Sequence, residues 1–155
     1  MIILNQDRMT SHRLGGGLIL LLLLLTALWI PQTGQANTII LDNMVVSKCF
    51  KKGLCEMGYA AGVASKEAQR FGFYLPKLIV QLREFEAKSL LRLDPNCFKD
   101  KKWQSQLWEK TVELMQDKNI KLVGEKFRRS LITYTYVNGK SLGEILRELR
   151  VQIRC

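Results

Sequence analysis

The sequence predicts a small all-α protein: a disulfide-braced bundle of four to five helices that follows a signal peptide. Three observations carry this expectation. Apolar residues recur at three- and four-residue intervals over much of the chain. Helix start and stop signals stand where one periodic run gives way to the next. Four cysteines, Cys49, Cys55, Cys97 and Cys155, follow an apolar leader, the usual sign of a disulfide framework formed in an oxidising compartment.

The leader is residues 1–36. Arg8, His12 and Arg13 precede Gly15-Gly16-Gly17, an apolar run from Leu18 to Ile30, and then Pro31-Gln32-Thr33-Gly34-Gln35-Ala36. That order is a basic region, an apolar region and a small-residue cleavage site, with Gly34 and Ala36 at the −3 and −1 positions. The apolar run is shorter than the roughly 20 residues of a bilayer span. Cleavage after Ala36 is therefore expected, with an uncut anchor as the alternative. Residues 37–155 then form a single exported domain, periplasmic or secreted.

The first mature stretch, Asn37 to Leu54, is short and mixed, and could hold a strand or helical turns. From Met57, the spacing of Ala60, Ala61, Ala64, Ala68, Phe71 and Leu75 is that of an amphipathic helix. Pro76 stops it and fits the first turn of the next helix, which continues to Leu93 through Leu78, Ile79, Leu82, Phe85 and Leu90. Asp94-Pro95-Asn96 ends that segment. A third helix is expected from Trp103 to Lys118, with Trp103, Leu107, Trp108, Val112 and Met115 inward. Residues 120–135 fit a helical face, although 131–137, rich in Thr and Tyr, also have strand-like composition. Asn138-Gly139 supplies a left-handed stop. Ser141 and Glu144 form the S-x-x-E signature of a helix start ahead of Leu142 to Ile153.

The two helical runs on either side of Pro76 are of nearly equal length. Folded back as a hairpin, they would bring Cys55, before the first, beside Cys97, after the second. The expected pairing is Cys55–Cys97 with Cys49–Cys155; the rival Cys49–Cys55 closes only a short turn.

The chemistry the sequence disfavours is informative. The only histidine, His12, lies in the leader. The mature chain thus lacks the usual base for a Ser or Cys nucleophile and the commonest metal ligand. No two cysteines are spaced as a zinc pair or a C-x-x-C redox motif. No catalytic residue, cofactor or metal is expected. A carboxylate-dependent hydrolase survives this cut, but most acidic residues interleave with Lys or Arg as on a solvated face.

The formal net charge is +10. Lys99, Lys101 and Lys102 stand beside Trp103, and Lys121, Lys126, Arg128 and Arg129 follow. Basic residues beside aromatics suit an anionic envelope polymer, a lipid surface or a nucleic acid; nucleic acid is the least favoured of the three. In Cys55-Glu56-Met57-Gly58-Tyr59-Ala60-Ala61-Gly62-Val63, two glycines four apart would allow close helix packing.

That stretch, Gly-Tyr-x-x-Gly-Val just after a cysteine, together with the order of cysteines along the chain, resembles the Rap1a/Tai family of small periplasmic immunity proteins. The resemblance implies a helical, disulfide-bonded protein that binds and neutralises a toxin effector of a type VI secretion system. The leading expectation is a non-enzymatic exported domain that binds another protein, with Trp103 and Tyr59 as candidate partner anchors. A cationic binder, a small carboxylate hydrolase and a secreted helical signalling protein are the alternatives.

Overall fold

The computed structural model describes residues 38–155; the leader expected at 1–36 lies outside them. The architecture corrects the all-α expectation. Five strands close into a barrel: β1 (Ile39–Cys49), β2 (Leu54–Tyr59), β3 (Lys77–Leu82), β4 (Ile120–Phe127) and β5 (Ser130–Val137). A two-residue strand, β6 (Lys140–Ser141), pairs with the end of β5. Four helices accompany it: α1 (Lys66–Arg70), α2 (Ala87–Leu93), α3 (Lys101–Met115) and α4 (Leu142–Gln152), with a 3-10 turn at Arg83–Phe85.

The sheet runs β3-β2-β1-β4-β5, and a parallel pairing of β3 with β5, from Ile79↔Ser130 to Leu82↔Thr133, closes it. Every other barrel pairing is antiparallel. Strands β4-β1-β2-β3 lie in Greek-key order, so the whole is a five-stranded Greek-key barrel of the OB type. One irregularity makes closure possible. β1 pairs with β4 from Ile39 to Met44 and with β2 from Met44 onward. The register shifts between Leu41 and Met44, where Asn43 takes a positive φ of 55°. Such a bulge bends a strand enough for one strand to serve two neighbours.

The inward side chains include Ile39, Leu41, Met44, Met57, Val80, Leu82, Ile120, Leu122 and Leu131. Helix α3 adds Trp103, Leu107, Thr111 and Met115 to the same core. Asp100 starts that helix by accepting from the Lys102 and Trp103 amides at 2.9 and 3.2 Å. The expected helix from Trp103 and the one after Ser141 are both present. Ser141 Oγ accepts from the Glu144 amide at 3.3 Å.

The other expected helices are not. The stretch from Met57 to Leu75 is strand β2, a loop and the single turn and a half of α1. Pro76 precedes a strand rather than opening a helix, a position a sheet tolerates because the missing N–H lies outside the ladder. The run to Leu93 splits into β3, the 3-10 turn and α2. Residues 120–137 form a β-hairpin, with Glu125 opposite Ile132. Asn138 and Gly139, at φ 49° and 84°, turn β5 into β6 instead of ending a helix. Gly58 lies in β2 and Gly62 in a turn at φ 81°, so the pair packs no helix.

The disulfides are Cys49–Cys55 and Cys97–Cys155, which corrects the pairing expected from a helical hairpin. Without that hairpin, Cys55 sits directly across from Cys49 in the β1–β2 ladder, their Cα atoms 3.9 Å apart. Cys97 follows α2, and its Cα lies 5.6 Å from that of the terminal Cys155. Two disulfides are the mark of an oxidising, exported environment. Among the described residues, no helix is long and apolar enough to cross a membrane.

Candidate functional site

Neither expected partner anchor is available to a partner. Trp103 is 1% exposed, with its indole N–H donating to the Ile153 carbonyl at 3.2 Å. It fastens α3 to the end of α4. Tyr59 is 6% exposed at the end of β2, and burial raises the pKa of its phenol. Both are core residues, because each falls on an inward position of its element.

Two of the concave faces among the described residues gather charged and aromatic side chains. The first is a groove of about 510 Å³ between the β2–β3 loop, the outer side of β2 and β3, and the β4–β5 turn. The turn is needed because β4 and β5 are consecutive antiparallel strands; Arg128 occupies its positive-φ position, at 57°. It raises Arg128 and Arg129 on one wall. Phe73, Tyr74 and Leu75 form the other wall, and Lys77 and Ile79 the floor. Lys126 ties the walls together: its ammonium donates to the Phe71 carbonyl at 2.8 Å and lies 5.2 Å from the Phe73 ring centroid. Lys77 is 3.6 Å from Glu56, the one acidic residue of the groove. Arg128 and Arg129 form no ion pair among the described residues. Tyr74 and Phe127 are 71% and 55% exposed, and the Arg128 guanidinium lies 5.5 Å from the Phe127 ring. Of the basic clusters noted in the sequence, the Lys126–Arg129 segment is the one brought beside exposed aromatics.

The second face is a cleft of about 510 Å³ bounded by β5, α2 and one face of α4 from Ser141 to Arg150. Glu84 lines it from the 3-10 turn that joins β3 to α2. Only 8% exposed, it accepts the Thr135 amide on Oε2 at 2.8 Å, and its Oε1 makes no well-formed hydrogen bond. Burial, opposed by the Thr135 amide, pushes its carboxyl up to about 7. No second carboxylate lines the cleft. Retaining and inverting glycoside hydrolysis both call for a pair. Above the floor stand Arg92 on α2 and Arg147 and Arg150 on α4. The sequence held little sign of Glu84. It reads as one more acid among basic neighbours, and only the closure of β3 against β5 buries it.

No group of His, Cys, Asp or Glu among the described residues is arranged to hold a metal ion. No family model matches the chain, and no curated protein matches it significantly.

Proposed function

We propose that this is an exported, non-enzymatic binding domain, periplasmic or secreted, whose groove between the β2–β3 loop and the β4–β5 turn takes an extended anionic polymer. One observation carries the reading: the groove sets Arg128 and Arg129, without ion pairs among the described residues, beside the exposed ring of Tyr74, and Arg128 lies over the exposed ring of Phe127 next to the groove. Cations meet phosphate, sulfate or carboxylate groups along a chain, while flat rings stack on bases or sugar faces. The fold supports this by analogy, since OB-type barrels bind oligonucleotides and oligosaccharides on the β2–β3 face and its flanking loops.

Fluorescence anisotropy with labelled oligo(dT) and with labelled heparin tests it. Three cations on the chain, Lys126, Arg128 and Arg129, imply that affinity for oligo(dT) falls roughly 20-fold when salt is raised fourfold. Arg128→Gln with Arg129→Gln should flatten that dependence, and Tyr74→Ala should weaken binding without changing it. Binding of neither polymer, or binding that all these variants leave intact, refutes the reading.

A protein partner is the second reading. Tyr74, Phe127 and the two arginines are residue types that carry interface energy, and Leu75 beside them is 73% exposed. Inhibition of a toxin is one form such contact can take, although the helical architecture implied by the immunity-protein resemblance is replaced here by a barrel. A stoichiometric complex that survives high salt would favour this reading over the polymer.

A further inference from the structure

We propose that the cleft between β5, α2 and α4 is a separate ligand site, for a small hydroxylated molecule that carries one phosphate or carboxylate group. The first argument is charge. Arg92 approaches from one helix and Arg147 and Arg150 from another, and none of the three pairs with a carboxylate among the described residues. Their backbone contacts are modest: Arg147 Nε reaches the Gly143 carbonyl of its own helix at 3.4 Å, and Arg150 donates to the Leu93 carbonyl. Arginine forks match the oxygens of phosphate and carboxylate. Through the Leu93 carbonyl Arg150 ties α4 to the last residue of α2, but Arg92 and Arg147 make no bond between the two helices, and three like charges brought together repel.

The second argument is the floor. Glu84 Oε1 and Thr135 Oγ1 are buried polar atoms whose only hydrogen-bonding neighbours are each other's side chains, in a geometry that leaves both poorly satisfied. Leaving such groups poorly satisfied is costly and calls for an explanation. Both residues line the cleft beneath the arginines, and a rotation of either side chain toward the cleft would let the hydroxyls of a ligand complete its hydrogen bonding. Tyr134 and Tyr136 border the same space, as does Ser141 at the start of α4. An uncharged ligand would leave the guanidiniums unused, and a bare anion would leave the floor unused.

Gly143 makes the site testable without dismantling the fold. It lines the cleft, and a Cβ built on it meets nothing within 4 Å. Gly143→Leu therefore projects a side chain into the cleft from an unstrained helical position. Amide chemical-shift titrations of the disulfide-intact protein are carried out with glucose 6-phosphate, glucuronate, glucose and inorganic phosphate at constant ionic strength. The proposal expects saturable shifts at Thr135, Tyr136 and Gly143 with glucose 6-phosphate or glucuronate, and none with glucose. It expects at least fivefold weaker binding in Arg92→Gln and Arg147→Gln, and loss of binding in Gly143→Leu with spectral dispersion retained. Absence of saturable binding by both charged sugars overturns it. So does binding unchanged by these variants, or shifts centred on the Tyr74–Arg129 groove. Inorganic phosphate bound as tightly as glucose 6-phosphate overturns the assigned ligand class.

Discussion

Replacing Glu84 by glutamine should remove much of the pH dependence of this protein's stability near neutrality. In the folded barrel the carboxyl is buried against β5 and titrates at about 7, against 4.5 for the unhindered group. The folded state therefore holds a proton that the unfolded chain releases. The sign follows from linkage: stability falls as pH rises wherever the native state binds more protons than the unfolded chain. The contribution is fully present below pH 4.5, declines between there and about 7, and is gone above. At 1.36 kcal/mol per pKa unit, the loss between pH about 5 and pH about 8 is roughly 2.5 kcal/mol. Glutamine keeps an oxygen for the Thr135 amide but cannot ionise. Urea unfolding of both proteins, disulfides intact, at the two pH values gives the double difference directly. Parallel pH profiles for wild type and Glu84→Gln would refute the reasoning, because they would mean that the folded carboxyl is as well solvated as the unfolded one.

Other expectations follow from single positions. A Cβ at Gly124 would lie 1.9 Å from the Ile132 carbonyl oxygen and 2.7 Å from Thr133 Cα, so Gly124→Ala must part β4 from β5. A loss of about 2 kcal/mol or more in urea unfolding is expected, in the range of overpacked cores. Gly143→Ala meets no neighbour and removes a flexible residue from the first turn of α4. It should gain roughly 0.5–1 kcal/mol, read as a raised melting temperature. The Cys97–Cys155 bridge spans 58 positions and Cys49–Cys55 only 6. By loop entropy, the paired Cys97→Ser, Cys155→Ser variant should lose about 4 kcal/mol and the Cys49→Ser, Cys55→Ser variant nearer 2. Equal losses in denaturant titrations would point to strain or residual structure instead.

Local chemistry made some elements legible in the sequence. Ser141 is a side-chain cap whose hydrogen bond involves only a residue three positions on, so α4 could be recognised without knowledge of its surroundings, and α3 could be recognised from the helical spacing of Trp103, Leu107 and Met115. The disulfide-forming character of all four cysteines was equally local, following from an apolar N-terminal run and an even count. The barrel was not legible, for reasons that individual strands display. In β5 the inward positions include Thr133 and Thr135, both fully buried, while Tyr134 faces out. The apolar–polar alternation that announces a strand is therefore blurred. In β3, Leu78, Ile79 and Val80 are adjacent apolar residues, and in a sequence such a run serves a helix face as well as a strand. The stripe from Met57 to Leu75 matched a helical period by coincidence: Met57 is wholly buried and Leu75 largely exposed.

The cysteine partners and the candidate sites depend on pairings between distant segments, which the order of residues along the chain leaves open. Cys49 meets Cys55 because β1 and β2 are neighbouring strands, not because of the helical lengths around them. Glu84 becomes a buried carboxyl only when β3 closes on β5. Arg128 and Arg129 face Tyr74 across a groove only because the β4–β5 turn and the β2–β3 loop come together. What the sequence by itself determined was the charge, the cysteines, the absence of histidine after His12 and the two helices α3 and α4, each a property of composition or of a few successive residues. Tertiary structure alone decided which side chains lie inside and which share a cleft, because burial and proximity are created by long-range strand pairing and have no local signature.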